Sequence, residues 1–410
     1  MAEPLAVYVH IPFCTIKCGY CDFNAYAGMD ALKDAYARAL LREADAARPL
    51  LAGRAIASVG FGGGTPGEFP AQHIAALLER LRDLAPFEPG AEVTLEVNPG
   101  TSSPPYLRGL RAAGVTRLSI GAQSFRAAEL AFLDRIHSPE ATAAAVAAAR
   151  DAGFESVSLD LIYGLPGQPL GAWLESIRAA LRLEPDHVSC YALTVEDGTP
   201  LAARIARGDV EPPDPDLAAD MYEAASALLD AAGFRQYELS NWARPGHESR
   251  HNRAYWTDRD YLALGAGAHG YLAGERYENI AHPRAYIAAV EAAPPGQPRP
   301  ALARVTTPAL PAQVADWLAL RLRLLEGFAP AEFERRWAVP LEAAAGSVLR
   351  ELAEAGLLEL APRVRLTARG RLLHGEIAAR LLVCLEQTAP RLPRLAARAA
   401  PPAPPYAAPK

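Results

Sequence analysis

Short runs of β-branched and aromatic residues alternate with longer amphipathic runs through the first half of the chain. The apolar runs predict strands near residues 5–11, 56–61, 91–97, 116–121, 156–163 and 187–193. The amphipathic runs predict helices near 30–49, 71–84, 103–113, 139–152 and 170–183. Such βα units build a parallel sheet that is either doubly wound or closed into a barrel. Because six strands are two short of the eight-stranded barrel, we expect an α/β fold with a partial (β/α)6 barrel, open on one side.

The pattern changes in the second half of the chain. A helix is predicted near 216–232, and a proline-rich polar segment at 292–311 marks a domain boundary. Beyond it the pattern predicts helices at 312–326, 331–337 and 341–355, short strands at 357–360 and 364–366, and a last helix from about 370. We therefore expect a barrel domain over 1–290, a small helical, winged-helix-like domain over 305–385, and a disordered Pro/Ala-rich tail over 389–410.

Composition narrows the kinds of partner. Half of the 410 residues are apolar and 21% are charged, as in ordinary globular enzymes. The net charge of −6 gives no general attraction to nucleic acid, so no nucleic-acid partner is expected. The N-terminus lacks a signal-peptide pattern and no apolar run is long enough to span a bilayer. We expect a cytoplasmic protein that is able to associate peripherally with a membrane.

Three of the five cysteines, Cys14, Cys18 and Cys21, follow the first predicted strand. This clustering favours a metal site in a reducing compartment over disulfides. A four-iron cubane cluster usually takes four cysteine ligands, so three thiolates would leave one iron open to a substrate. A zinc site completed by His10 or Asp22 is the alternative, but the chain has no second CxxC-type pair to support it.

The C-x3-C-x2-C spacing, with Tyr20 before the last cysteine, resembles the signature of the radical S-adenosylmethionine (SAM) superfamily. The resemblance implies a radical SAM barrel with a [4Fe–4S] cluster on Cys14, Cys18 and Cys21. It also implies that the open iron binds SAM and that one electron from the cluster cleaves SAM reductively to a 5′-deoxyadenosyl radical.

Polar and glycine residues follow the predicted strands in the order that this chemistry needs. The run Gly62–Pro66 offers the methionine amine an approach free of side chains. Glu96 and Gln123 lie at strand ends, where barrel enzymes place their ligand contacts. Arg135 suits a carboxylate and Asp160 a ribose or an amine. Asp160 interrupts an apolar strand, which is costly unless the carboxylate is paired.

The segments YVHIPFC, GGGTP, GAQSF and DLIYGLPGQ resemble proteins related to oxygen-independent coproporphyrinogen III dehydrogenase (HemN-like), over about 1–380. Phe23 stands where the dehydrogenase has a fourth cysteine, and the chain begins too close to Tyr8 for the dehydrogenase's N-terminal arm. Coproporphyrinogen oxidation is therefore not expected. The resemblance implies cofactor contacts at Tyr8, Tyr20, Gly63, Gly64, Thr65, Glu96, Gln123, Arg135, Asp160 and Ala192.

The run from His251 to Trp256, HNRAYW, combines a nitrogen ligand with two large aromatic rings. It resembles the haem-binding motif of the HemW haem chaperones, which implies that His251 and Tyr255 contact haem. The protein would then deliver haem to haem proteins such as respiratory enzymes and take electrons from a donor. The alternatives are a true coproporphyrinogen dehydrogenase, a radical SAM methyltransferase and a zinc-binding interaction protein. No catalytic side chain is assigned.

Four other residues carry weaker expectations. Cys190 and Cys384 are predicted to be buried packing residues. His269, in GAGAHGY, lines the cofactor site or packs in a turn. His137 is expected at a helix cap near Ser138.

Overall fold

The computed structural model describes residues 3–101 and 103–388, so the predicted tail at 389–410 lies outside the described residues. The strands are β1 Leu5–Ile11, β2 Phe13–Cys14, β3 Tyr26–Ala27, β4 Ile56–Gly63, β5 Phe87–Val97, β6 Arg117–Gln123, β7 Ser156–Tyr163, β8 His187–Ala192, β9 Arg235–Glu238, β10 Asn241–Ala243, β11 Tyr261–Leu264, β12 His269–Leu272, β13 Glu275–Asn279, β14 Leu302–Thr306, β15 Leu358–Glu359 and β16 Arg365–Leu366.

The helices follow the same order along the chain. They are α1 Lys33–Ala46, α2 Arg48–Leu51, α3 Ala71–Leu84, α4 Pro104–Ala113, α5 Ala127–Phe132, α6 Pro139–Asp151, α7 Leu170–Leu181, α8 Pro200–Ala206, α9 Pro215–Ala231, α10 Arg250–Trp256, α11 Pro283–Ala292, α12 Leu310–Arg323, α13 Pro330–Trp337, α14 Leu341–Glu354, α15 Ala368–Leu372 and α16 His374–Thr388. Short 3-10 helices cover Asp30–Leu32, Pro66–Glu68 and Pro99–Thr101.

One large sheet carries the barrel, in the order β14-β13-β12-β11-β1-β4-β5-β6-β7-β8-β10-β9. The six predicted strands are its parallel centre, β1, β4, β5, β6, β7 and β8, and they lie side by side in chain order. A doubly wound sheet would reverse this order, so the order identifies the partial barrel. The α/β prediction is confirmed. Sequence missed β11, which pairs parallel with β1 as a seventh strand.

Two large apolar cores and two smaller apolar clusters lie in the described residues. One large core lies between the barrel strands and their outer helices, and the other large core joins α12, α13, α14 and α16 with β15 and β16. The C-terminal helical region is confirmed, whereas its winged-helix likeness and the domain limits 1–290 and 305–385 stay predictions. The predicted linker contains β14, whose side chains are all exposed. No helix in the described part of the chain is long and apolar enough to cross a membrane.

A buried carboxylate fixes the loop between β11 and β12. Glu43, on α1, accepts hydrogen bonds from the Gly265 amide at 2.7 Å, the Asn279 amide at 2.7 Å and the Tyr286 hydroxyl at 2.6 Å. Burial raises the pKa of Glu43 to about 7, although the three hydrogen bonds oppose the rise. Glu43 therefore ties α1, β13 and α11 to the loop that follows β11.

Replacing Glu43 by alanine is expected to lower the free energy of unfolding by about 3 kcal/mol, because three buried donors lose their acceptor. The raised pKa means that the native state holds the proton more tightly than the unfolded chain. The stability that comes from this tighter proton binding is complete below about pH 4.5 and is lost as pH rises through about 7. Urea denaturation at a series of pH values should show this slope in the wild type and not in Glu43→Gln.

Glu79→Ala is the matched control, since Glu79 is exposed on α3. Its effect should stay within about 0.5 kcal/mol. An unchanged slope in Glu43→Gln would contradict the assignment of the slope to Glu43.

Candidate functional site

One cavity of about 520 Å³ opens at the carboxyl ends of the barrel strands, where barrel proteins place their ligands. It brings together every site residue that the sequence predicted, although their roles as ligands stay predictions. The lining includes Tyr8, Cys14, Cys18, Tyr20, Cys21, Gly63, Gly64, Thr65, Glu96, Gln123, Arg135, Asp160, Ala192, His251 and Tyr255. We call this space the barrel cavity.

The cysteine loop runs across the mouth of the barrel cavity directly after β1. Cys14 lies on the short strand β2, and its Sγ is 3.3 Å from the Thr65 hydroxyl. That hydroxyl also accepts a hydrogen bond from the Asn98 side chain at 3.1 Å. The Thr65 amide in turn bonds the Phe13 carbonyl at 2.8 Å. The segment after β4 therefore holds the first thiol in place.

The segment after α5 holds the second thiol. The Arg135 guanidinium lies 3.8 Å from the Cys18 Sγ and donates to the Gly121 carbonyl at 3.0 Å and to the Asn98 side chain. The Asp134 carboxylate accepts a hydrogen bond from the Gly19 amide at 2.9 Å. Arg135 thus reaches the barrel cavity beside the cysteine loop, where it could meet a ligand carboxylate.

The three thiols can be tested for their fit to a cluster. Burial, together with negative charge on Glu68, Cys21 and Cys18, raises the pKa of Cys14 to about 11, although the hydrogen bond with Thr65 opposes the rise. Iron would therefore have to displace the proton, as is usual for thiolate ligands. In the described residues no three His, Cys, Asp or Glu side chains are close enough together to hold one metal ion.

The Gly64 backbone lies very close to the cysteine loop. A Cβ atom at Gly64 would lie 2.8 Å from the Phe13 carbonyl oxygen and 3.0 Å from the Cys14 Sγ. Only a glycine allows the two segments this approach. The shared cavity, the thiols and this glycine-lined wall fit a cluster with a small zwitterionic ligand beside it.

Two acidic side chains face each other inside the barrel cavity. Glu96 is accessible from the cavity but is otherwise surrounded by protein, and this confinement, with repulsion from Asp160, raises its pKa to about 8. Burial also raises the pKa of Asp160, while hydrogen bonds, first of all from Ser119 at 2.7 and 2.9 Å, lower it. The pair is suited to a positively charged ligand, which would favour both carboxylates.

The HNRAYW segment forms α10, which packs against β1, β4 and β5. His251 is only 3% exposed, and its ring nitrogens lie 3.0 Å from the Ser58 hydroxyl and 2.8 Å from the Tyr255 hydroxyl. A Cβ atom at Gly60 would lie 2.3 Å from the His251 Nε2, so glycine is required there. Burial lowers the pKa of His251 to about 4, so the ring is neutral near pH 7. His251 is held in place by protein contacts on both nitrogens.

Sequence reasoning missed the polar floor of the barrel cavity, which Arg117, Ser119, His187 and Ser189 line. Ser158 bridges this floor, because its hydroxyl lies 3.1 Å from the Asp160 carboxylate and 2.8 Å from the His187 Nδ1. The signal was present, since polar residues recur at every second position of β6, β7 and β8 and therefore share one face.

The weaker expectations have mixed outcomes. Cys190 is buried as predicted, whereas Cys384 is only partly buried. His137 precedes the N-cap of α6, where Ser138 caps the helix, and its Nε2 lies 3.0 Å from the Ala122 carbonyl. His269 does not pack in a turn, because it begins β12 with 71% of its side chain exposed.

Comparison with family models agrees with this geometry. Residues 8–180 match the model of the radical SAM superfamily, and residues 311–373 match the model of the HemN C-terminal domain. The first match covers the cysteine loop and the barrel from β1 to α7, and the second covers most of the C-terminal helices.

Individual relatives cover nearly the whole chain. Heme chaperone HemW of Mycobacterium tuberculosis is 42% identical over 388 residues, which are 93% of this chain and 95% of that protein. Heme chaperone HemW of Bacillus subtilis is 36% identical over 91% of this chain and 97% of its own. Among solved structures, coproporphyrinogen III oxidase (HemN) of Escherichia coli, a radical SAM enzyme, superposes with a TM-score of 0.79 at 28% identity, covering 92% and 90% of the two chains.

Proposed function

Because the chain belongs to the HemW haem-chaperone family of the radical SAM superfamily, we propose that it binds haem and passes it to haem-requiring proteins. The observation that carries the proposal is the barrel cavity, which the three thiols, the glycine-lined wall and His251 and Tyr255 of the HNRAYW helix line together. Membership of the radical SAM superfamily implies a [4Fe–4S] cluster and SAM.

The residues divide into two groups within this proposal. Cys14, Cys18 and Cys21 hold the cluster, and the predicted cofactor residues from Tyr8 to Ala192 hold SAM. When bound, the cluster supplies the electron for reductive cleavage of SAM. Arg135 orients the carboxylate of the ligand, and Glu96 with Asp160 attracts its positive charge. His251 and Tyr255 stay the predicted haem residues.

The partners follow from the same proposal. The acceptors are haem proteins such as respiratory enzymes, and a separate protein donates the electron to the cluster. We place the protein in the cytoplasm, with peripheral association with a membrane where its acceptors are membrane-bound.

Oxidation of coproporphyrinogen III is the rival activity, because the superposed HemN structure belongs to an oxidase. Phe23 argues against it. Its ring is 62% exposed at the mouth of the barrel cavity, at the position where the resemblance places a fourth cysteine in the dehydrogenase. An exposed phenyl ring offers apolar surface to a ligand but no thiol.

Haem transfer tests the proposal directly. Anaerobically reconstituted protein is loaded with hemin, passed through gel filtration and mixed with apomyoglobin as a general acceptor. We expect a Soret band that survives the column and moves to the myoglobin position after mixing. The same preparation, given SAM, a reductant and coproporphyrinogen III, should form no protoporphyrinogen IX.

Two results would count against the function. A preparation with full iron content but no saturable Soret band would show that the chain does not carry haem. Turnover of coproporphyrinogen III would establish the dehydrogenase instead.

A further inference from the structure

A second cavity, of about 680 Å³, adjoins the barrel cavity and shares Tyr8, Phe23 and Tyr255 with it. Residues of β1, β11 and β12 line it, and α12 contributes Leu320. The HNRAYW helix is divided between the two spaces, since His251 lines only the barrel cavity whereas Trp256 lines only the second cavity. The second cavity has a ligand-sized volume. Tyr8, Gly63 and Glu96, which are predicted SAM contacts, also line it, but its other lining residues are assigned to neither the cluster nor SAM.

The walls of the second cavity suit a flat, largely apolar ring. The Tyr255 and Tyr261 rings meet edge to face at 4.7 Å between centroids, and the Tyr271 ring lies 6.3 Å beyond Tyr261. The exposed Phe23 ring stands at the entrance. Aromatic side chains at these spacings form a continuous surface on which a macrocycle can pack.

Four histidines line the two cavities in the described part of the chain: His10, His187, His251 and His269. The first three are at most 5% exposed, and each has both ring nitrogens within hydrogen-bond distance of a protein oxygen. The His269 ring makes no hydrogen bond to any described residue and is 71% exposed. Of the four, His269 alone could ligate iron without breaking an existing contact.

The surroundings of His269 resemble those of a metal-ligating imidazole. Its Nδ1 lies 3.8 Å from the Glu278 carboxylate, which is too long for a hydrogen bond, and that carboxylate also pairs with Arg304 at 2.9 Å. Ligating histidines commonly direct their second nitrogen toward a carboxylate in this way. With the proton on Nδ1, Nε2 carries the free lone pair.

One arginine at the second cavity is suited to a carboxylate group of the ligand. Arg259 is exposed, lines the cavity, and its guanidinium has no partner among residues 3–101 and 103–388. Asp22, Glu96 and Asp258 line the same cavity and would oppose an anion, although Arg336 pairs with Asp258 at 3.2 Å. Arg259 is therefore a free cation for one acidic side chain of the ligand.

We propose that haem binds in the second cavity, with its iron on His269 Nε2 and a propionate on Arg259. This inference rests on the proposed haem-carrier function and adds where the haem lies. The phenol rings of Tyr255, Tyr261 and Tyr271 pack against the macrocycle. His269 and Arg259 line only the second cavity, whereas the predicted SAM contacts Tyr8, Gly63 and Glu96 line both cavities.

The test is a hemin titration of the full-length, cluster-reconstituted protein and its variants, followed by the Soret band. We expect His269→Ala to weaken binding about tenfold or more and to change the spectrum, and added imidazole to restore the wild-type spectrum. Arg259→Ala should weaken binding several-fold with the wild-type spectrum kept. His282→Ala is the matched control, since His282 is exposed and lines neither cavity.

The outcomes distinguish the haem-carrier function from the position of the haem site. If the wild type shows no saturable binding, the haem-carrier function fails. If the wild type binds haem and His269→Ala matches it in affinity and spectrum, the function stands and the His269 site is overturned. Loss of the Soret band in His251→Ala, with iron content and circular dichroism intact and His269→Ala unaffected, would also overturn it.

Discussion

Replacing Cys14, Cys18 or Cys21 by serine is expected to remove the iron–sulfur cluster almost completely, from about four irons per chain to near zero. Three thiolates already leave one iron without a protein ligand, so the loss of another leaves too few to retain the cubane. Iron and sulfide analysis after anaerobic reconstitution, with the absorbance of the cluster, measures the effect. The variants should keep their circular dichroism, because the three thiols belong to the loop after β1 and not to the apolar cores.

Cys384→Ser is the matched control, since Cys384 lies on α16, outside the lining of the barrel cavity. It should retain the full iron content. A full cluster in Cys14→Ser, or zinc in place of iron in the wild type, would reject the assignment of the three cysteines.

Replacing Glu96 by glutamine is expected to weaken SAM binding by roughly 10- to 150-fold, because a charge-assisted contact contributes about 1.5–3 kcal/mol. Because the pKa of Glu96 is about 8, the direction in which the affinity for SAM changes with pH can also be predicted. Without ligand the Glu96 carboxyl is protonated below that pH, so binding of a cationic ligand requires that Glu96 lose its proton. Wild-type affinity for SAM should therefore rise as pH increases from 7 to 9, and Glu96→Gln should lose that part of the rise.

Equilibrium dialysis of SAM against reconstituted protein measures both effects. Glu79→Gln, a change on the exposed face of α3, should bind SAM as the wild type does. Equal affinities of Glu96→Gln and the wild type at pH 9 would place the ligand's positive charge away from Glu96.

The barrel was predictable because each strand of its parallel centre is a short run rich in apolar residues, and the six predicted strands match within about four residues at each end. The strands beyond that centre were missed because they are short. β11 has four residues, and β14 has exposed side chains in a segment rich in proline. Their position depends on pairing with β1 and β13, which local pattern does not encode.

The candidate site was predictable for a related reason. Parallel strands end at one mouth, so residues read from separate strand ends meet in one cavity. The availability of each histidine was not predictable. Sequence singles out His251 by its motif, but its contacts with Ser58 and Tyr255 appear only when α10 is placed against β4. The exposure of His269 likewise depends on the pairing of β12 with β11 and β13, outside the six predicted strands.

Tyr8 and Tyr255 belong to the walls of both cavities, and this has a thermodynamic consequence. A ligand that shifts either ring changes the binding free energy in the neighbouring space. Such coupling is reciprocal, so the factor by which SAM alters the affinity for haem must equal the factor by which haem alters the affinity for SAM. Loading and release of the cargo could then be set by occupancy of the cofactor site, without any chemical change to the haem.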